Sequence, residues 1–280
     1  MTDAPRLAEY YQQGLRDADV LAQIRSHYPA GPTLHQLAPL DQLHIGGVTA
    51  TTRLLALLDP ALHPRVLDIG AGLGGLMRQG AAQGFQVTGL DITHRFNALN
   101  KALSALSEPH STPLFWITGD ATALPFADNT FDALLFQHSL LNMPDAAQVF
   151  AESHRVLRPG GQLVMHEVVS GPNVEALRYP VPWATELTHS HLLSQTALTQ
   201  QLQQSGFILE HCVDWSDIAL EWRERQGNKE QTAQMPILSP QWVFGERFQE
   251  MGRNLLFNLK QQAINLVEIK ASCYAGWDNN

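Results

Sequence analysis

From about residue 64 the chain alternates short apolar runs of strand length with longer segments of helical character. That alternation indicates βαβ units and a parallel sheet. The runs predict strands at 65–69, 86–91, 114–118, 131–137, 162–169, 207–215 and 266–271. Helices are expected to begin near Leu73, Thr93, Ala146 and Gln195, each after a turn. Pro159-Gly160-Gly161 should break the chain before the fifth strand. Two parts lie outside a minimal sheet: residues 1 to about 48, and the roughly fifty residues between the sixth and seventh strands. Within the second part, Trp242-Val243-Phe244, Phe248, Met251 and Leu255-Leu256 carry the spacing of helices that bury one face. With 171–190 they should form a cap over the carboxyl ends of the strands, and such caps commonly hold a substrate pocket and exclude water.

The first strand runs straight into Asp68-Ile69-Gly70-Ala71-Gly72-Leu73-Gly74-Gly75. Without a Cβ, Gly70 and Gly72 let the backbone turn sharply and a ligand approach closely. A turn at this place sets helix N-terminal amides beside a nucleotide-like ligand, in the usual crevice of an open α/β sheet. Gly70-x-Gly72-x-x-Gly75, followed some twenty residues later by Asp91, also satisfies the dinucleotide fingerprint. Two acids separate the candidates. Asp68 precedes the first glycine, where it suits a cofactor with an amino group and a sulfonium rather than a pyrophosphate. Asp120, at the end of the third strand, can accept from an adenine amino group.

Asp68-Ile69-Gly70-Ala71-Gly72, Asp91-Ile92, Gly119-Asp120-Ala121, Leu124-Pro125-Phe126 and Phe131-Asp132 resemble, in order and spacing, the class I S-adenosylmethionine-dependent methyltransferases. Val156-Leu157-Arg158-Pro159-Gly160-Gly161 completes the set. The resemblance implies a doubly wound, Rossmann-like α/β fold with seven strands, the last antiparallel, and a helical cap. It divides the chain into an N-terminal helical lid, 1–48, and a methyltransferase domain, 49–280, with cap insertions at about 171–195 and 216–262. It also implies roles by position. Asp68 would organise the loop and the methionine amino end, with Gly70, Ala71 and Gly72 along the methionyl chain. Asp91 would grip the ribose hydroxyls while Ile92 packs on adenine, Asp120 and Ala121 would read the adenine edge, and the main chain at Gln137 would hold the amino group. An N-terminal Tyr10-Tyr11 would close over the cofactor.

Outside that core the chain resembles the small-molecule branch that includes sarcosine/dimethylglycine N-methyltransferases and tocopherol-type methyltransferases. The resemblance lies in Asp41-Gln42-Leu43-His44-Ile45-Gly46-Gly47, Gln137-His138-Ser139-Leu140-Leu141-Asn142 and Tyr179-Pro180-Val181-Pro182-Trp183. It makes His44, Asn142, Tyr179 and Trp183 candidates for substrate contact. There are departures: many relatives carry an acid at His138 and a histidine at Asn142. His138, just after the fourth strand, can titrate near neutrality and is the candidate base, the alternative being a pocket wall. Of His166-Glu167, one must point away from the pocket if the strand alternates.

Composition narrows the partners. A formal charge of −9 and the lack of a lysine/arginine cluster disfavour nucleic acid. No apolar run is long enough for a bilayer and no signal-peptide pattern opens the chain, so a cytoplasmic protein is expected. Cys212 and Cys273, the two cysteines, cannot form a disulfide framework and are expected to be buried thiols. His189-x-His191 lacks a nearby cysteine or acid partner set and reads as two polar residues at the surface, so no metal site is predicted. The expected activity is methylation of a small molecule, at nitrogen by the softer resemblance, or at oxygen or carbon of a hydroxylated aromatic or other specialised metabolite. A non-catalytic cofactor-binding subunit and a nicotinamide-dependent oxidoreductase are the rival classes, and a homo-oligomer is compatible with all of them.

Overall fold

A computed structural model describes residues 14–107, 110–232 and 237–274. Tyr10-Tyr11 lies outside the described residues. Helices α1 (Asp17–His27), α2 (Leu34–Asp41) and α3 (Gly47–Leu55) precede strand β1 (Arg65–Ile69). Then follow α4 (Gly75–Ala82), β2 (Gln86–Asp91), α5 (His94–Leu106), β3 (Leu114–Thr118), β4 (Phe131–Gln137), α6 (Ala146–Val156) and β5 (Leu157–Ser170). The chain closes with α7 (Gln195–Gln204), β6 (Phe207–Asp214), α8 (Ser216–Thr232), a helical turn at Gln241–Phe244, α9 (Phe248–Lys260) and β7 (Ile264–Cys273).

The seven strands form one sheet in the order β3-β2-β1-β4-β5-β7-β6. Strands β1 to β5 pair in parallel, whereas β7 runs antiparallel to both β5 and β6. This is the expected doubly wound arrangement with an inverted last strand. Successive residues of the central strands serve opposite faces, as a pleated strand requires. Leu134 and Phe136 of β4 join Val149 and Phe150 of α6 in one apolar cluster, while Ala133 and Leu135 join Met77 of α4 and Leu54 of α3 in the other. Both faces are covered, which is why these strands read as nearly continuous apolar runs.

Helix starts follow their local chemistry. Asp145 caps α6 by accepting from the Gln148 N–H at 3.0 Å, and Ser194 caps α7 through the Ala197 N–H at 3.1 Å. The glycine turn runs two residues further than expected, so α4 begins at Gly75 rather than Leu73. The break at Pro159-Gly160-Gly161 falls inside β5: pairing with β4 jumps from Phe131↔Leu157 to Ala133↔Gln162, so the turn is a bulge within the strand.

Two further clusters carry the cap. Ile45, Leu141, Val168, Trp183, Trp215 and Leu255 join the N-terminal segment, α8 and α9 to the strand ends. Elsewhere Ile24 and Leu37 of α1 and α2 pack on Phe96 and Leu103 of α5. No described helix is long and apolar enough to cross a membrane. Cys273 is buried as expected, but Cys212 on β6 is only half-buried, and both are unpaired.

Candidate active site

The sheet order reverses between β1 and β4, and the crevice beyond their carboxyl ends holds a cavity of about 420 Å³. All nine residues assigned to the cofactor from sequence line it, from Asp68 and the Gly70–Gly72 turn through Asp91 and Asp120 to Gln137. The Gly70 and Ala71 N–H groups donate to the Leu90 carbonyl at 2.8 and 3.1 Å, tying the turn to β2. Gly70 has φ +81°, and a Cβ there would collide with Ser139; at Gly72, φ +52°, a Cβ would meet nothing within 4 Å. Gly70 is thus required by packing, whereas the space over Gly72 is open to the cavity.

The carboxylates shape the crevice. Asp91 accepts from the Gly72 N–H at 2.9 Å and from the Thr93 N–H at 2.8 Å. Asp120 closes a local turn by accepting from the Thr122 N–H and Oγ at 2.9 and 2.8 Å. Asp68 is buried, and removal from water, reinforced by the nearby Asp91 carboxylate, pushes its pKa to about 8. A cationic ligand would hold Asp68 ionised. Open space over Gly72, a buried and unpartnered Gln137 Nε2, and an acid waiting for a positive charge together fit a cofactor with an ammonium group, a sulfonium and a sugar.

A second cavity of about 600 Å³ adjoins the first. The two share Leu43, His44, His138, Pro182, Trp183 and Phe244 as common lining residues. The outer wall of the second comes from the cap: Trp222 of α8, and Phe248, Met251 and Leu255 of α9.

His138 occupies the junction with φ +54°, an uncommon backbone for a residue with a Cβ. Its N–H donates to the His166 carbonyl at 3.0 Å. Glu167 accepts from the Ser139 and Leu140 N–H groups at 2.9 and 3.1 Å, which fixes the loop from the other side. Strand alternation thus sends His166 and Glu167 to different tasks, with both buried. The His138 ring stacks on His166 at 5.1 Å and lies 5.7 Å from His44. Burial, then the neighbouring rings of His166 and His44, holds His138 well below the usual histidine range. Burial likewise lowers His44 to about 4 and His166 to about 3. Three neutral imidazoles therefore sit together at neutral pH.

Their hydrogen bonds distinguish them. His44 Nδ1 faces the Ile45 carbonyl at 3.2 Å and its Nε2 faces the Gln42 side-chain amide oxygen at 2.8 Å, so a neutral His44 donates its one ring proton to one of these two acceptors. The Thr51 hydroxyl links that amide (2.6 Å) to the Gln137 side chain (3.1 Å). Both nitrogens of His44 are engaged. By contrast His138 Nε2 is buried and has no partner. Of the two, only His138 keeps a buried ring nitrogen free to meet a ligand.

The remaining substrate candidates separate. Trp183 lines both cavities, Asn142 lines the cofactor side only, and Tyr179 lines neither, packing instead against the Trp183–Trp215 cluster. The residues missed from sequence include Trp222 and the fully buried Arg78, which binds Asp41 at 2.6 Å and so joins α4 to the N-terminal segment. Arg78 sits one helical turn beyond the glycine run, and a charged residue on a buried helix face was the available signal. Among the described residues no cluster of His, Cys, Asp or Glu is arranged to hold a metal.

Residues 67–165 match the family described as methyltransferase domain. Methyltransferase GfsG of Streptomyces halstedii is 32% identical over 165 residues, 58% of this chain and 58% of that protein. The ubiquinone/menaquinone biosynthesis C-methyltransferase UbiE of Dinoroseobacter shibae is 35% identical over 118 residues, 41% of this chain and 47% of its own. The chain thus carries a methyltransferase domain over residues 67–165. S-adenosylmethionine is the cofactor of this family, which removes the nicotinamide reading of the glycine run. The chain spans about half the length of the curated relatives it matches. Solved structures bear on the fold alone. A candidate sarcosine dimethylglycine methyltransferase from Galdieria sulphuraria gives a TM-score of 0.62 at 16% identity, over 80% of this chain and 84% of that one. The [4+2]-cyclase SpnF gives 0.61 at 23% identity, over 81% and 80%.

Proposed function

We propose that this chain transfers a methyl group from S-adenosylmethionine to a nitrogen of a small organic acceptor. The observation that carries the reading is the common wall of the two cavities, where the cofactor crevice meets a second, largely apolar cavity at His138. In this reading Asp68, Gly70, Ala71 and Gly72 hold the methionine end, Asp91 the ribose hydroxyls, and Ile92, Asp120 and Ala121 the adenine. The main chain at Gln137 holds the amino group, and the Gln137 side chain is linked through Thr51 and Gln42 to His44 on the acceptor side. Segments 171–195 and 216–262 act as the cap, and the N-terminal segment as a lid.

The cofactor supplies a methyl group already activated on a sulfonium. The protein's part is alignment, which accounts for much of the rate in such a displacement. A low-dielectric chamber keeps an amine neutral and therefore nucleophilic. His138 Nε2 accepts the hydrogen of the acceptor N–H and fixes the direction of its lone pair, and His166 and Glu167 hold the loop that carries it. His44, Trp183 and Phe244 exclude water.

A second reading, transfer to oxygen or carbon of a hydroxylated aromatic, draws on the similarity to the UbiE C-methyltransferase and on the same unpartnered nitrogen, which would then take a hydroxyl proton. The unpaired Cys212 and Cys273 support a reducing, cytoplasmic location. The test is transfer of labelled methyl to two pools, one of amines and N-methylated compounds, the other of phenols and hydroxylated heteroaromatics. Label in the amine pool is expected. Label confined to the hydroxylated pool moves the assignment to the second reading, and label in neither with cofactor binding intact favours a non-catalytic role.

A further inference from the structure

The chemistry of the second cavity narrows the acceptor beyond its methylated atom, on the reading that this cavity is the acceptor site. Its walls are mainly indole, phenyl and aliphatic groups, with Phe244 and Phe248 stacked at 6.4 Å and 9°, and Gln42, Thr49, Gln226 and Ser239 supply neutral polar side chains. One buried cation reaches it, Arg223, and that guanidinium is already committed. It donates to both carboxylate oxygens of Glu230 at 2.8 and 2.6 Å and to the Gly252 carbonyl at 3.1 Å. Apart from the buried imidazoles, the remaining basic side chains of the lining, Lys229 and His35, are exposed. A carboxylate carried into this space would lose its water without gaining an uncommitted buried cation, a penalty of several kcal/mol.

Polar handles at the reacting end are equally few. Of the residues common to both cavities, Trp183 spends its Nε1–H on Ser190 Oγ at 3.0 Å, and His44 has both nitrogens engaged. His138 Nε2 alone among these common lining groups is buried without a partner, and in the tautomer protonated at Nδ1 it accepts rather than donates.

We infer that the acceptor is an uncharged, largely apolar molecule with one hydrogen-bond donor at its reacting end, and that zwitterionic glycine derivatives are excluded. The cavity's volume suits a ring system or a short prenyl-like chain rather than an amino acid.

The probe is N-phenyl-1-naphthylamine, an uncharged aromatic secondary amine whose emission rises when it leaves water. It is titrated into the whole chain saturated with S-adenosylhomocysteine. Saturable enhancement that millimolar sarcosine leaves unchanged is expected. Phe248→Arg, and independently Val48→Arg at a half-exposed wall position, should weaken the probe by at least about tenfold, while melting temperature and S-adenosylhomocysteine affinity stay unchanged. Phe115→Arg, at an exposed phenylalanine of β3 away from the cavity, should change nothing. Displacement by sarcosine, absence of enhancement, or enhancement indifferent to both wall variants overturns the inference. Labelled methyl is followed in the same samples: a probe that binds by these criteria yet stays unlabelled leaves the acceptor class standing and removes support from the nitrogen assignment instead.

Discussion

The two cavities that meet at His138 are built by opposite means. On the cofactor side, Asp68, Asp91 and Asp120 stand at the ends of successive parallel strands, and each belongs to a short contiguous motif that also makes its own turn. The acceptor side draws its wall from the N-terminal segment, the loop after β4, the stretch after β5, and α8 to α9. It offers aromatic faces and neutral imidazoles, and its one buried ion pair is satisfied internally. On the proposed reading, negative charge thus sits where a cationic cofactor would be held. It is withheld where a nucleophile would stay neutral, and where the positive charge gained on methylation would be shed as a proton. The lesson is that ligand charge, more than ligand shape, divides this molecule.

The largest expected effect breaks the joint between the halves. Arg78 on α4 is fully buried and binds Asp41, a residue of the N-terminal segment that also lines the cofactor cavity. Replacing it with methionine leaves the Asp41 carboxylate buried and unpaired, which costs about 3–5 kcal/mol. Thermal or denaturant unfolding should show that loss, and Arg78→Met combined with Asp41→Leu should recover much of it. A single variant as stable as the parent would mean that the pair does not join the halves.

Next in size is a break confined to the cofactor side. Asp91→Ala removes both the carboxylate assigned to the ribose and the acceptor that positions the Gly72 N–H. Calorimetry should show S-adenosylhomocysteine binding weakened by about a hundredfold or more, from the loss of several charge-assisted hydrogen bonds. Unchanged affinity would remove Asp91 from the site.

The same contrast explains what could be read from the residues alone. The glycine turn, the acids at the strand ends and all seven strands were legible because each is encoded within a few neighbouring positions, as Asp68-Ile69-Gly70 and Gly119-Asp120-Ala121 illustrate. The amphipathic spacing of Phe248, Met251 and Leu255 was equally local, and α9 does present these residues to the cap. What stayed hidden depends on residues far apart in the chain. Arg78 meets Asp41 across 37 positions, and Thr51 meets Gln137 across 86. Tyr179 and Trp183 looked equivalent in one aromatic segment, yet the backbone between them turns one to the cavities and the other into the packing beneath. Nor could sequence show which of the histidines would lack a partner.

A smaller effect sharpens the electrostatic half of the comparison. Burial raises Asp68 from 3.8 to about 8, so between those values the folded, ligand-free protein keeps a proton that the unfolded chain has released. Stability from this group should therefore fall as pH rises toward 8 and level off above it. Cofactor affinity should move the other way. A cation requires the ionised acid, so binding should strengthen by up to about tenfold per pH unit below 8 and flatten beyond. Comparison with Asp68→Asn cancels the ligand's own titration. Parallel pH profiles for the two proteins would mean that Asp68 does not ionise on binding.

The smallest expected change in cofactor affinity belongs to His138, and it divides the two readings of the reaction. Its imidazole touches the junction but carries no charge at neutral pH, so His138→Gln should leave S-adenosylhomocysteine affinity within about twofold. Transfer is another matter. An amine kept neutral by its surroundings needs orientation more than proton removal, and the glutamine side-chain oxygen still accepts a hydrogen bond, so the rate should fall by less than about tenfold. A hydroxylated aromatic must surrender a proton before or during attack, and loss of a general base there costs about a hundredfold or more. Single-turnover rates with one acceptor of each class separate these outcomes without interference from product release. A large loss with the amine would make His138 a base in both chemistries and would weaken the claim that the acceptor chamber works by keeping its nucleophile neutral.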